Sequence, residues 1–301
     1  MLRNQKLMVD RPEAGARMDR FLRDRFPGLP SRSVRHALES GAVRVNGEKC
    51  GKGRPVREGE AVLVEALAEN EDWLPVPCDI PGASVAYEDG QVIVLCKPHD
   101  VHTEPQRPNE DGTLAGFLRK RYPRVAEVSP VPGLTLLSRL DYATSGAVPA
   151  ALTRQAFDAL RHEREMGRLE KIYLCLVKGV VDSAMAIDWE IDARGAETVR
   201  VRRDHREADP RRWTLVEPVR PGSETTLVRA RISTGKRHQI RAHLAAAGHP
   251  IAGDRRYGAV PGVGPGKARL MLHSETVIFR HPGTGERVSV TCPAPPEFGG
   301  L

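Results

Sequence analysis

The stretch Leu134-Thr135-Leu136-Leu137-Ser138-Arg139-Leu140-Asp141-Tyr142-Ala143-Thr144-Ser145-Gly146-Ala147-Val148 decides how the rest of the chain is read. Its two ends are apolar and its middle is polar. Two short strands joined by a polar turn is the simplest structure for that pattern, with Thr144-Ser145-Gly146 forcing the turn. The joint carries one guanidinium, Arg139, and one carboxylate, Asp141. Rigid strands fix the loop between them, so scaffolds present functional groups at such joints. The same residue types also make ordinary surface turns with a solvated aspartate.

The segments on either side supply the rest of a sheet. Residues 83–97 read as a hairpin, Val85-Ala86-Tyr87 and Val92-Ile93-Val94-Leu95 about the turn Glu88-Asp89-Gly90. Residues 113–121 predict a helix with Leu114, Phe117 and Leu118 on one face. Residues 154–167 predict a second, with Phe157 and Leu160 inward. Residues 172–177 and 226–232 read as strands, and 239–247 as a short helix stopped by Gly248-His249-Pro250. Residues 194–212 hold seven arginines against four acids, which fits an exposed loop or strand pair near nucleic acid as well as a solvated insertion. Residues 260–267, with three glycines and two prolines, read as a mobile loop.

A chain of 301 residues suggests two domains, and 40% hydrophobic residues supply a core. It has no run of about 18 apolar residues, so no membrane span is expected. The start, Met1-Leu2-Arg3-Asn4-Gln5-Lys6, leads into mixed charge and not into an apolar signal core. A cytoplasmic protein follows, and with it reduced thiols at Cys50, Cys78, Cys96, Cys175 and Cys292, which show no metal-type spacing. Other chemistries find little support. Residues 261–268 miss a phosphate loop at both ends, with Pro261 and Ala268 in place of glycine and Ser/Thr. Ser145 has Ala143 where a nucleophile elbow needs glycine. His238 and His243 are not at the i, i+4 spacing of a helical zinc pair, and a structural role is the simpler reading.

The net charge is +7, and residues 1–66 hold 14 Lys and Arg against 9 Asp and Glu. A basic front module before a near-neutral body suits nucleic acid, because neutralising phosphates releases counterions. Met18, Phe21, Leu22 and Phe26 recur at helical spacing, and Pro27-Gly28-Leu29-Pro30 ends that helix. Ser31 reads as the N-cap of a second helix with Val34 and Leu38, stopped at Gly41. Arg32 and Arg35 lie near its phosphate-favouring start. Val43-Arg44-Val45 reads as a strand, Asn46-Gly47 as a tight hairpin turn and Val62-Leu63-Val64 as the closing strand. Residues 68–83, acidic and carrying Pro75, Pro77 and Pro81, read as a linker.

Further pieces turn this pattern into a family. Arg139-Leu140-Asp141 with Thr144-Ser145-Gly146 resembles the signature of the RluA-type pseudouridine synthases. Lys97-Pro98, Lys171-Ile172-Tyr173-Leu174, Thr234-Gly235-Lys236-Arg237-His238-Gln239-Ile240-Arg241, Gly253-Asp254, Tyr257-Gly258 and Leu272-His273-Ser274 follow in the family's order. Together they cover roughly 85–295. The front module resembles the RNA-binding domain of ribosomal small-subunit protein four, the αL motif, through Arg17-Met18-Asp19-Arg20-Phe21-Leu22, Ser31-Arg32-Ser33-Val34, 41–47 and 56–60.

The resemblance implies an α+β protein: an αL-type RNA-binding domain at 10–67, a linker at 68–83, and a mixed, largely antiparallel β-sheet catalytic domain with flanking helices at 84–298. It implies that uridine in RNA is isomerised to pseudouridine, ribosomal RNA of the large subunit first and tRNA second. Asp141 would be the catalytic residue, as nucleophile or as base. Arg139 would help to displace the flipped base, Tyr173 would stack on it, and Arg241 would pair with and aim Asp141. Leu272 would form an apolar wall. Arg20, Arg32, Arg35 and Arg44 would face RNA. No metal or cofactor is implied, and a monomer is expected. A non-catalytic RNA-binding or ribosome-assembly protein is the rival, disfavoured because a binder needs no ordered carboxylate. Two departures stand out: Ser138 where the family commonly has histidine, and Pro149 in a strand, where proline suits an edge or bulge better.

Overall fold

The computed structural model describes residues 1–129, 131, 134–194, 198–258 and 269–299. They divide into two compact units, 1–76 with 105–111, and the remainder from 77 onward.

The first unit is a four-stranded sheet with two helices. Strands β1 (Leu2–Met8), β2 (Val43–Val45), β3 (Glu48–Lys49) and β4 (Ala61–Leu67) lie in the order β1-β4-β2-β3, with helices α1 (Met18–Arg25) and α2 (Ser31–Glu39). Met18, Phe21 and Leu22 of α1 are buried with Val34, Ala37 and Leu38 of α2 against Val43, Val62 and Val64, each large side chain contributing about 1.5–3 kcal/mol. Asn46 and Gly47 both have positive φ, the backbone that a two-residue hairpin requires. Three details differ from what the sequence leads one to expect. β1 alternates too weakly to be seen, with mostly exposed residues. Pro30 holds the extended cap position, and Ser31 is the first helical residue of α2. Residues 68–83 are not a free linker: Trp73 is 2% exposed, its Nε1 donates to Ser33 Oγ at 2.7 Å, and the Arg32 guanidinium lies 4.5 Å over its ring. A buried indole with a partner for its N–H cannot be connecting chain.

The second unit is a nine-stranded sheet. Along its main path run β5 (Ser84–Glu88), β6 (Val92–Lys97), β7 (Ser145–Ala151), β14 (Leu272–Arg280), β8 (Glu170–Lys178), β13 (Thr225–Ile232), β12 (Thr214–Pro221) and β9 (Met185–Ile187), with β15 (Arg287–Thr291) also on β14. Among the described residues only β7 and β14 pair in parallel, and the other strand pairings are antiparallel. Alternate residues of β6 enter different clusters. Ile93 and Leu95 join Leu114 and Leu118 of helix α3 (Leu114–Arg121). Val92 and Val94 join Phe157 and Leu160 of helix α4 (Arg154–Glu165). The period of two thus buries both faces, each under a helix. Thr113 and Thr153 cap those helices, accepting from Gly116 N and Ala156 N. β10 (Trp189–Asp192) and β11 (Arg200–Arg206) form a separate ribbon. The expected loop at 260–267 lies outside the described residues. No helix among the described residues is long and apolar enough to cross a membrane.

The deciding stretch departs from the simple hairpin. Its second arm is β7, but its first arm is a single bridge, Leu136 to Ala150, with Leu137 N donating to Pro149 O and Ala151 N to Thr135 O. Pro149 is neither at an edge nor at a bulge, since it pairs with Val94 in regular register. An N–H at position 149 would have donated to Leu137 O. Proline has none, and Arg164 Nη1 from α4 donates there at 2.9 Å. Gly146 has φ +115, and a Cβ there would lie 2.1 Å from Ser274 O, so the parallel pairing with β14 needs glycine. The expectation of wholly reduced thiols also needs correction, because Cys96 and Cys292 form a disulfide across 196 residues.

Candidate functional site

Asp141 is held in the turn by its neighbours' backbone. Thr103 Oγ1 donates to Leu140 O and accepts from Leu140 N, at 2.8 and 3.1 Å. Lys97 Nζ donates to Tyr142 O at 3.1 Å, and to Pro98 O and Val101 O at 2.9 and 2.7 Å. Three ammonium protons meet three carbonyls, which lets a side chain 2% exposed sit under the turn. Burial still pushes the Lys97 pKa down to about 7, against the pull of Asp100 and Asp141. Thr144 N closes the turn on Asp141 O. With its backbone fixed on both sides, the Asp141 side chain is 31% exposed.

The other wall is helix α5 (Gln239–Ala246). Arg241, in its first turn, donates from Nη1 to Asp141 Oδ2 at 2.6 Å. The rest of its fork belongs to Asp254: Nε to Oδ2 at 2.7 Å and Nη2 to Oδ1 at 2.8 Å. Asp254 is wholly buried, and its Oδ1 also accepts from the backbone N–H of Arg256 and Tyr257. Burial opposes the charge of Arg241, but the Asp254 and Asp141 carboxylates more than offset this and raise its pKa. The two carboxylates therefore differ in kind. Asp254 is consumed in orienting the guanidinium, whereas Asp141 is partly open and has one oxygen, Oδ1, with no hydrogen bond among the described residues. Gly253 places Asp254 there, since at φ +76 a Cβ would lie 1.9 Å from Arg269 O.

His238 precedes α5 in a left-handed backbone, φ 54, which a non-glycine residue adopts only where its surroundings enforce it. Its Nδ1 lies 2.9 Å from the Tyr257 hydroxyl and its Nε2 3.7 Å from Asp141 Oδ2. Tyr257 also accepts from Val199 N at 2.9 Å and puts its ring 5.3 Å from the Arg241 guanidinium. His243 is a buried cross-link between Thr214 Oγ1 and Trp189 O.

The residues singled out in the sequence are only partly brought together. Asp141 and Arg241 touch. Tyr173 and Leu272 are 6% and 4% exposed, in the same apolar cluster as Leu140. Burial raises the Tyr173 pKa, and the Asp141 charge adds to it. Arg139 is exposed and makes no hydrogen bond or ion pair among the described residues. In the other unit, Arg20 pairs with Asp24, Arg44 with Glu65, Arg32 lies over Trp73, and Arg35 is exposed. Sequence reasoning gave no role to Lys97, Thr103, Asp254 or Tyr257 and took His238 as structural. Four of these five stand inside the family's motif pieces, but no periodicity tells which backbone group or carboxylate each one meets.

A part-exposed carboxylate with one oxygen engaged and one open can attack carbon or take up a proton. Comparisons with known proteins name the family. Residues 91–246 match the family model described as RNA pseudouridylate synthase. The chain is 32% identical over 307 residues to "Ribosomal large subunit pseudouridine synthase D" of Xanthomonas campestris pv. campestris, covering 98% of this chain and 90% of that protein. It is 33% identical over 298 residues to "Ribosomal large subunit pseudouridine synthase C" of Escherichia coli K12, covering 93% and 90%. Among solved structures, "Human RNA Pseudouridylate Synthase Domain Containing 1" superposes with a TM-score of 0.56 at 28% identity, covering 74% of this chain and 88% of that one. The mixed, largely antiparallel sheet is thus a fold shared with a known synthase domain, and this chain belongs to the RNA pseudouridylate synthase family.

Proposed function

We propose that this enzyme isomerises uridine to pseudouridine in ribosomal RNA of the large subunit, with Asp141 as the reacting carboxylate. The observation that carries the reading is the 2.6 Å contact of Arg241 Nη1 with Asp141 Oδ2, made by a guanidinium that a buried aspartate already orients. The uracil must leave the anomeric carbon through N1 and return through C5. A single carboxylate beside that carbon suffices for either a nucleophilic or a proton-abstracting route, and the chemistry calls for no metal or redox cofactor. Arg139, exposed two residues before Asp141, is suited to enter the stack that the flipped base leaves. Tyr173 and Leu272 supply apolar and aromatic surface for the base.

Residues 1–67 act as an αL-type RNA anchor through Arg20, Arg32, Arg35 and Arg44, supported by the basic charge of that module. The relatives named for large-subunit RNA, similar over nearly the whole chain, favour ribosomal RNA over tRNA. The protein works as a monomer in the cytoplasm. The test is pseudouridine mapping across total RNA after incubation of unmodified RNA with the purified protein and with Asp141→Asn. New pseudouridine in large-subunit RNA with the parent alone is expected, and RNA affinity should stay within a few-fold in the variant. Turnover by Asp141→Asn near the parent rate would remove Asp141 from the mechanism.

A further inference from the structure

His238 and Tyr257 stand in the family's motif pieces, and the proposed reaction gives them no task, yet His238 stands between Asp141 on one side and the Tyr257 hydroxyl on the other. We propose that His238 is a positioning residue for Asp141: a neutral imidazole, fixed by Tyr257 with its proton on Nε2, that acts as a second donor to Oδ2 and leaves Oδ1 as the oxygen free to act. The inference rests on the reading of Asp141 as the reacting carboxylate.

Three observations carry it. First, Arg241 Nη1 and His238 Nε2 both approach the same oxygen, Oδ2, at 2.6 and 3.7 Å. The longer separation is of the kind that tightens to a hydrogen bond once substrate fills a site. Second, the Tyr257 hydroxyl accepts the Val199 N–H on one side, so its own proton is available to His238 Nδ1 at 2.9 Å. Accepting there puts the imidazole proton on Nε2, toward Asp141. Third, His238 is held in a left-handed backbone, with its side chain 8% exposed. A residue kept in such a conformation beside a reacting group is over-determined by its surroundings.

The charges around the ring agree. Burial lowers the His238 pKa. Arg241 from α5, Arg237 before it and Arg256 after Asp254 lower it further, and only Asp141 opposes them. Tyr257, the remaining titratable neighbour, is itself raised by burial and stays a phenol. The ring is thus neutral in the working range, and an Nε2–H donor is available without an added charge that would neutralise Asp141.

Two measurements test this on the full-length protein. Nitrogen-15 NMR of histidine-labelled protein reports the tautomer without any need for activity: the Nε2–H form is expected for His238, and an Nδ1–H form or a charged ring at neutral pH would overturn the proposal. Kinetics then test the role. His238→Ala should lower kcat at least about tenfold with little change in KM, as for other partners that orient a reacting ligand. His238→Gln, which keeps an N–H at the Nε2 position, should recover most of the loss. In Tyr257→Phe, Nδ1 loses its donor and the ring can turn its lone pair toward Asp141. Protonation restores the Nε2–H, so kcat of this variant should rise relative to the parent as pH falls through the histidine range. Equal losses in the Ala and Gln variants, or a Tyr257→Phe profile parallel to the parent's, would overturn the proposal. Full turnover by Asp141→Asn would instead strike at the identity of the reacting group, and the tautomer would still be decided by NMR.

Discussion

Arg241 serves two carboxylates with different needs. Asp254 is fully buried and takes two of the three side-chain hydrogen bonds of the guanidinium; Asp141 is part-exposed and takes one. Arg241→Met strands a buried anion, and breaking such a pair from one side costs about 3–5 kcal/mol. Adding Asp254→Asn removes the stranded charge and keeps an oxygen for the Arg256 and Tyr257 N–H, so the double variant should regain much of that stability and none of the activity. Urea melts and pseudouridine assays on the single and double variants check both. A double variant no more stable than Arg241→Met would mean that Asp254 is not the reason for the loss. The pairing of Arg241 with Asp141 was legible only through family resemblance, because the two are 100 residues apart and local pattern holds no information on who meets across that distance. Lys97 shows the same limit: a lysine after an apolar strand reads as a strand end, whereas its amine lies under the turn on three carbonyls.

At the scale of elements, amphipathic periods were the reliable signal. The helices at 18–25 and 154–165 and the hairpin at 84–97 fall where their apolar spacing puts them. What failed were β1, mostly exposed, which its partner and not its pattern makes a strand, and the arm at Leu136, whose apolar pattern reads as a strand but which pairs through one bridge. Pro149 is the most instructive case. Its tolerance inside a sheet depends on Arg164, which donates to Leu137 O in place of the missing amide. Leu137 is wholly buried, so Arg164→Ala leaves that carbonyl without its donor and should cost about 1–3 kcal/mol. Pro149→Ala restores an amide at that place. The same Arg164→Ala change in that background should cost clearly less, a coupling that a double-mutant cycle of denaturant melts reads directly. Additive losses would show that the two positions do not share the carbonyl.

For the whole molecule, two cores matter more than one length. The cluster from Val9 to Leu67 draws only on the first unit, and the sheet clusters only on the second. Composition marks 68–83 as a linker, whereas Trp73 carries the first unit into that acidic, proline-bearing stretch as far as 76. The sequence did not anticipate the Cys96–Cys292 disulfide within the second unit either, because spacing alone cannot pair cysteines 196 residues apart. Separate cores predict separate folding, so a chain beginning at Pro77 should still melt cooperatively. The 14 Lys and Arg of residues 1–66 leave with the first unit. If that unit docks RNA through phosphates, the truncated enzyme should bind large-subunit RNA more weakly. The slope of log affinity against log salt should fall by about 0.7–0.9 for each phosphate that the first unit would have neutralised. Turnover at saturating RNA should fall less than affinity does, because Asp141, Arg241, His238 and Asp254 all remain. Filter binding from low to moderate salt, with single-turnover kinetics on the same RNA, makes the comparison. An unchanged slope in a folded truncated protein would assign the basic charge of the first unit to solubility and take RNA anchoring away from it.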